Sequence, residues 1–429
     1  MNRLTFSLAA AALTLVSAPL NAQDIAIQNA TVATGDGSEP IQNATVIIRG
    51  GKVVAAGAGV SVPADIPALD GAGTWVTPGL IAAVTNLGLV DVRAVSDSND
   101  ASASSSRFNA ALDVTPAINP ASQHLLVSRG EGVTRAVVMS NPSDAIFGGQ
   151  GAIIDTGADP DPITRSKAFQ YVTLAERGAS IAGGSRTASH VELRNALREA
   201  RDFVAGRWSG DGNLLTRADA EALAPIVSGR QKLLIHVDRA SDIRSVIALS
   251  KEFGALDIVL VGATEGWTVA DELAQSGIPV IAESLQDLPD RFEQLAATQS
   301  NIGRMQAAGV TVALNADTLR NIHHLTQHAG NLVALTRVPR ATGLSWGEAL
   351  ATITSRPAEA MGMGGKIGVL AAGAMGDLVI WDGDPLEVSS TPVRVYIEGV
   401  EQPLDNHQTR LRERYRDLDE SDLPKAYDW

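Results

Sequence analysis

The sequence predicts an α/β protein: a (β/α)8 barrel joined to a small composite β domain that the N- and C-terminal segments form together. Three observations carry this reading. Apolar, β-branched runs at 232–238 (KLLIHVD), 258–263 (IVLVGA), 279–284 (PVIAES) and 310–317 (VTVALNAD) start 26, 21 and 31 residues apart, the spacing of successive strand–helix units. Their continuous apolar character implies burial on both faces, as parallel strands beneath helices require. Short alternating runs broken by Gly, Asp and Pro occupy both ends of the chain, and each set is too small to bury a core alone.

Taken in order, residues 1–22 place Arg3 before an apolar stretch from Leu4 to Val16, then Pro19 and small residues near Ala22. That polarity reads as an export signal, and the stretch is shorter than the roughly 20 apolar residues of a membrane span. The expectation is a periplasmic or secreted protein with no membrane span. Residues 23–76 form the first part of the β domain. The hexapeptide IQNATV occurs there twice, at 27–32 and 41–46, and reads as two similar hairpin strands in preference to two glycosylation sites at Asn29 and Asn43. The barrel spans 77–365, with 76–84 and 133–140 supplying early strands. A helix follows Ser189, which with Glu192 makes a capping box ahead of Leu193, Ala196, Leu197, Ala200, Phe203 and Val204 at three-four spacing. Residues 148–151 (GGQG) lack the spacing of a phosphate-binding loop and read as a tight turn. Residues 366–429 return to β character and end in a charge-rich helix near 410–418.

Composition narrows the chemistry. With 34 Lys and Arg against 48 Asp and Glu the formal charge is −14, which opposes nucleic-acid binding. The chain has no cysteine, so disulfides, thiolate-bound zinc, Fe–S clusters and thiol nucleophiles are excluded. Any imidazole site draws on His124, His190, His236, His323, His324, His328 and His407. His324 and His328 have the i,i+4 spacing of one helix face, without the carboxylate partner of a metal helix. His236 and Asp238 point to one side of a strand end, while Arg239 points away. Two readings of that triplet stay open: a polar site at the barrel mouth, or an ion pair of Asp238 or Asp242 with Arg239 that holds the strand–helix loop.

Several strings in this order resemble the amidohydrolase superfamily, and more narrowly its exported, imidazolonepropionase-like branch. They are Val76-Thr77-Pro78-Gly79-Leu80-Ile81, Phe147-Gly148-Gly149-Gln150-Gly151-Ala152, 233–243 (LLIHVDRASDI), Ala263-Thr264-Glu265, 313–317 (ALNAD), 349–357 (ALATITSRP) and the closing 368–385 segment. The resemblance implies a small-molecule substrate whose C–N bond is hydrolysed, such as an acylated amino acid, a dipeptide or a cyclic amide. It also implies one or two divalent ions held by a first-strand His-x-His pair, a fourth-strand Lys or Glu, a His on each of strands five and six, and an eighth-strand Asp. Such an ion lowers the pKa of bound water toward 7.

This chain departs from that set. Val84 and Asn86 stand at the His-x-His positions, no lysine matches on the fourth strand (Lys167 lies upstream), and Gly262 replaces the sixth-strand His. His236 and Asp317 match, and the resemblance implies that they are metal ligands, with Asp317 the acid/base. Zinc needs about three protein ligands plus an open position, and Glu283, Glu265, Asp238, Asp97 and Asp100 are the candidate carboxylates for a third. Asn86, Asp238 and Glu265 are the candidate substrate contacts. No cofactor follows from the residues alone; the resemblance implies one divalent ion, zinc. Two functions follow: a C–N hydrolase, or a catalytically inactive member acting as a binding or partner subunit. A homo-oligomer, or a hetero-oligomer with an intact relative, fits either.

Overall fold

The structure, a computed structural model, describes residues 22–210, 212–284, 286–315 and 324–416. Asp317 and His323 lie outside the described residues, as does all of the expected export signal except Ala22. The first strands, β1 (Ile25–Val32), β2 (Ile41–Arg49), β3 (Lys52–Gly57), β4 (Ala68–Asp70) and β5 (Trp75–Pro78), make five of the eight strands of one sheet. The barrel follows as β6 (Leu80–Thr85), β7 (Val133–Val138), β8 (Phe147–Asp155), β9 (Ile163–Thr173), β10 (Lys232–Val237), β11 (Asp257–Gly262), β12 (Val280–Ala282) and β13 (Val312–Leu314). Strands β14 (Leu378–Trp381), β15 (Pro392–Ile397) and β16 (Val400–Glu401) return to the first sheet, where β14 pairs with β5 in the order β16-β15-β14-β5-β1-β2-β3. The composite β domain expected from the two chain ends is therefore present. No helix among the described residues is long and apolar enough to cross a membrane.

The two IQNATV repeats lie in the paired strands β1 and β2, with Ala30 opposite Ala44. Asn29 and Asn43 take positive φ of 61° and 50°, a conformation Asn tolerates better than most residues, and the β1–β2 register slips beside Ala30.

Barrel strands run in sequence order from β6 to β13, and a bridge between Ala83 and Asn315 brings the last strand's end back to the first. One strand differs from the expected pattern. β8 is antiparallel to both β7 and β9. Its connections, 139–146 and 156–162, fall short of the dozen or so residues that a parallel crossover requires. The GGQG segment is thus a fully buried strand and not a tight turn. Glycine is needed there for space: a Cβ at Gly151 would run into the Phe169 ring on β9. The capping expectation also shifts. The helix begins at Arg186, with Ser185 as its cap accepting from the Thr187 amide, while Ser189 is buried inside the helix.

Strand alternation fixes which residues face the barrel axis. Ile81, Val137, Phe169, Leu234, Val259 and Ile281 pack together inside it, whereas Leu233 and Ile235 pack outward beneath the helices. Two residues beyond Leu234 on the inner face comes His236, at the C-terminal end of β10. That end of a barrel is where the strand–helix loops gather.

At the opposite end, Arg135 of β7 ties the barrel to the β domain. Its buried guanidinium reaches Asp377 at 2.7 Å, Glu398 at 2.9 Å and Asp155 at 3.6 Å. Burial pushes the Asp155 carboxyl up to about 6, against the pull of Arg135. A carboxyl raised in the folded state favours folding while protonated. Its contribution is full below about pH 4 and is lost as pH rises through about 6. Asp155→Asn removes that titration. The variant is expected to gain stability relative to wild type between pH 4 and pH 7, by at most about 3 kcal/mol, measured by urea unfolding at both pH values.

Candidate functional site at the barrel mouth

His236 occupies the mouth with 19% of its side chain accessible. Its Nε2 lies 3.5 Å from Asp238 Oδ2 and its Nδ1 3.3 Å from Thr173 Oγ1. Thr173 ends β9 and stands in register with His236, which is why the two meet. Asp238 is fully buried and collects donors from three elements. Its Oδ1 accepts from the Thr264 amide (3.2 Å) and hydroxyl (2.7 Å), and its Oδ2 from Gln294 Nε2 (3.4 Å). Burial works against charge on both partners. The Asp238 carboxylate, with Glu293 and Glu283 further off, nevertheless lifts His236 above its ordinary value, while His236 and Thr264 hold Asp238 below its own.

A second layer surrounds this pair. Arg186 bridges Asp242 (2.8 Å) and Glu293 (2.7 Å), and Arg239 pairs with Asp242 at 2.8 Å. The loop-holding ion pair considered for Arg239 therefore forms with Asp242, and Asp238 turns to His236 instead. Glu265, a candidate substrate contact, is buried. Its Oε2 accepts from the Ala240 amide at the start of a helix and its Oε1 from the Ala296 amide, so it acts as a clamp between loops. Asn86 is half-buried at the mouth, donating Nδ2 to the Met139 carbonyl at 2.7 Å, with Asn141 Nδ2 3.5 Å from its Oδ1. Asp97 and Asp100 are exposed on the loop after β6. Lys167 lies toward the other end of β9, exposed and 3.8 Å from Asp113. Thr173, Gln294 and Glu293 have no motif in the sequence, and Thr264 stands in the Ala263-Thr264-Glu265 string without a role assigned to it; counting strand ends in register with His236 would have found Thr173 alone.

Comparison with known proteins bears on this geometry. The family described as "Amidohydrolase family" matches residues 267–401. An imidazolonepropionase from Maricaulis maris is 26% identical over 390 residues, covering 82% of this chain and 90% of that protein. These matches support a likeness to the amidohydrolase superfamily and its imidazolonepropionase-like branch. The amidohydrolase tasK of Hapsidospora irregularis is 23% identical over 381 residues, covering 80% of this chain, which spans only 38% of that longer protein. An amidohydrolase from Thermotoga maritima shares the fold, with a TM-score of 0.77 and 24% identity over 88% of this chain and 99% of that one.

The described residues of this chain do not fit the superfamily's metal set. Val84 is buried in the apolar barrel cluster and has no donor. Both ring nitrogens of His236 face protein partners. Position 262 has no room for a side chain: a Cβ there would stand 2.7 Å from Asp238 Oδ1 and 3.0 Å from His236 Cδ2. Among the described residues no three His, Asp or Glu side chains gather as a metal-binding group. The arrangement as described orients an imidazole within the protein and can present the side-chain amides of Asn86 and Asn141 to a small polar ligand.

Gly262→His restores the sixth-strand ligand only on paper. With φ at +88° and its Cβ space occupied, the variant is expected to lose about 1–3 kcal/mol of stability. It is also expected to gain no zinc. Urea unfolding and elemental analysis of the purified variant check both.

Proposed function

We propose that this amidohydrolase-like protein binds a small amide-bearing molecule at its barrel mouth and lacks the metal-dependent C–N hydrolysis of the superfamily. The observation that carries the reading is the Gly262 position, where the Asp238–His236 contact fills the space a sixth-strand ligand would need. Val84 in place of a first-strand donor supports it independently. The ligand classes are acylated amino acids, dipeptides and cyclic amides. An amide both donates and accepts, and Asn86, Asn141 and Thr173 supply both functions around the mouth. The export-type sequence at 1–22 supports a periplasmic or secreted location, and partnership with an intact relative or a second copy is the role such a subunit would take.

The second reading, a C–N hydrolase using His236 and Asp317 as ligands and Asp317 as the acid/base, is favoured by His236 standing at the fifth-strand position and by relatives named as amidohydrolases and imidazolonepropionases. Protein purified without chelators separates the two. Our reading expects zinc far below one equivalent, a thermal shift with members of an N-acyl amino acid, dipeptide and cyclic-amide panel, and no product. One equivalent of zinc, lost together with turnover in His236→Ala or Asp317→Ala, would establish the hydrolase.

A further inference from the structure

We propose that Ser284 and His328 form a metal-independent nucleophile–base pair on the rim of the barrel, able to accept an apolar acyl group from an ester. Ser284 stands two residues beyond the end of β12, at the C-terminal end of the barrel. His328 lies on the helix Leu325–Ala334, whose buried side is Leu325, Ala329 and Leu332. The two side chains meet across 44 positions of sequence, Ser284 Oγ standing 2.6 Å from His328 Nδ1. That distance lies within reach of direct proton transfer, and a hydroxyl beside an imidazole is the arrangement that activates a serine. Both residues are half-buried, so an acyl donor can reach the oxygen. Burial, with His324 one turn away, lowers His328 below its ordinary value and keeps it neutral, the state that can take a proton. The His236–Asp238 cluster does not involve either residue.

The loop that leaves Ser284 indicates the donor. It carries Leu288, Phe292 and Leu295, which are 74%, 82% and 66% exposed. Side chains of this kind in water favour contact with an apolar chain. In the reaction, Ser284 Oγ attacks the carbonyl carbon of the ester and its proton passes to His328 Nδ1. The bond to the leaving alcohol then breaks and the alcohol takes that proton. Ser284 is left acylated until water, deprotonated by the same imidazole, releases the acid.

The test uses the full chain with an alkyl fluorophosphonate, which reacts at phosphorus by the same attack and expels fluoride. EDTA is present, so the outcome is independent of the metal question above. One phosphonyl group on Ser284, located by tandem mass spectrometry, is expected. Ser284→Ala should abolish it, and His328→Gln should slow it by about a hundredfold, the order of a general base's contribution. Circular dichroism melts confirm that both variants are folded. An unlabelled Ser284 in the wild-type protein, or labelling of His328→Gln at the wild-type rate, would overturn the proposal.

Discussion

The mouth of the barrel is organised by the need of one buried carboxylate for hydrogen-bond donors. Asp238 is fully inaccessible, and a carboxylate in that position costs several kcal/mol unless it is paired. It meets the requirement by drawing in the Thr264 amide and hydroxyl, the Gln294 amide and the His236 ring. The approach of Thr264 depends on the chain leaving β11 through positive φ at Gly262 and Ala263, 88° and 50°. Glycine at 262 is thus the condition for the carboxylate to reach its donors. An imidazole held in this way presents its nitrogens to the protein.

Charge at the mouth is balanced by the same logic. Asp238, Asp242 and Glu293 are all buried acids within one region, and their counter-charges are His236, Arg186 and Arg239. Guanidinium groups occupy the electrostatic place that a divalent ion takes where carboxylates converge, and unlike an ion they are covalently fixed. Glu265 is compensated differently, by two backbone amides, one of them at a helix start where negative charge is favoured. Loss of Arg186 would leave the buried Glu293 without its cation, whereas Asp242 would keep Arg239.

Much of the fold was legible because burial imposes period. Runs buried on both faces mark parallel strands, and the inner face of β10 follows from alternation, which places His236 without any structural information. β8 was not legible in the same way. Its glycines suit a turn as well as a strand until the Phe169 ring that they accommodate is known. The helix cap was misplaced by the same ambiguity, since Ser185 and Ser189 both precede apolar positions and only packing shows Ser189 to be inside. At the site, the sequence exposes the missing ligands, because a valine or glycine at a ligand position is visible by type. It hides the replacements. Thr264 and Gln294 reach Asp238 from 26 and 56 positions away, and no local pattern announces such contacts.

Val84 shows why the mouth can hold its shape without a cation. A β-branched residue at φ of +51° is strained, by about 1–3 kcal/mol for positions of this kind. Such a conformation persists only where the surroundings over-determine it. Here the Met139 amide donates to the Thr85 carbonyl at 2.9 Å, Asn86 donates to the Met139 carbonyl at 2.7 Å, and the Leu87 amide donates to the Thr85 hydroxyl at 3.1 Å. The Ala83–Asn315 bridge fixes the same strand end from the other side. The turn is thus held by hydrogen bonds on both flanks of Val84, and the valine side chain fills the space it is given among apolar neighbours. Backbone and side-chain hydrogen bonds together fix the first strand end.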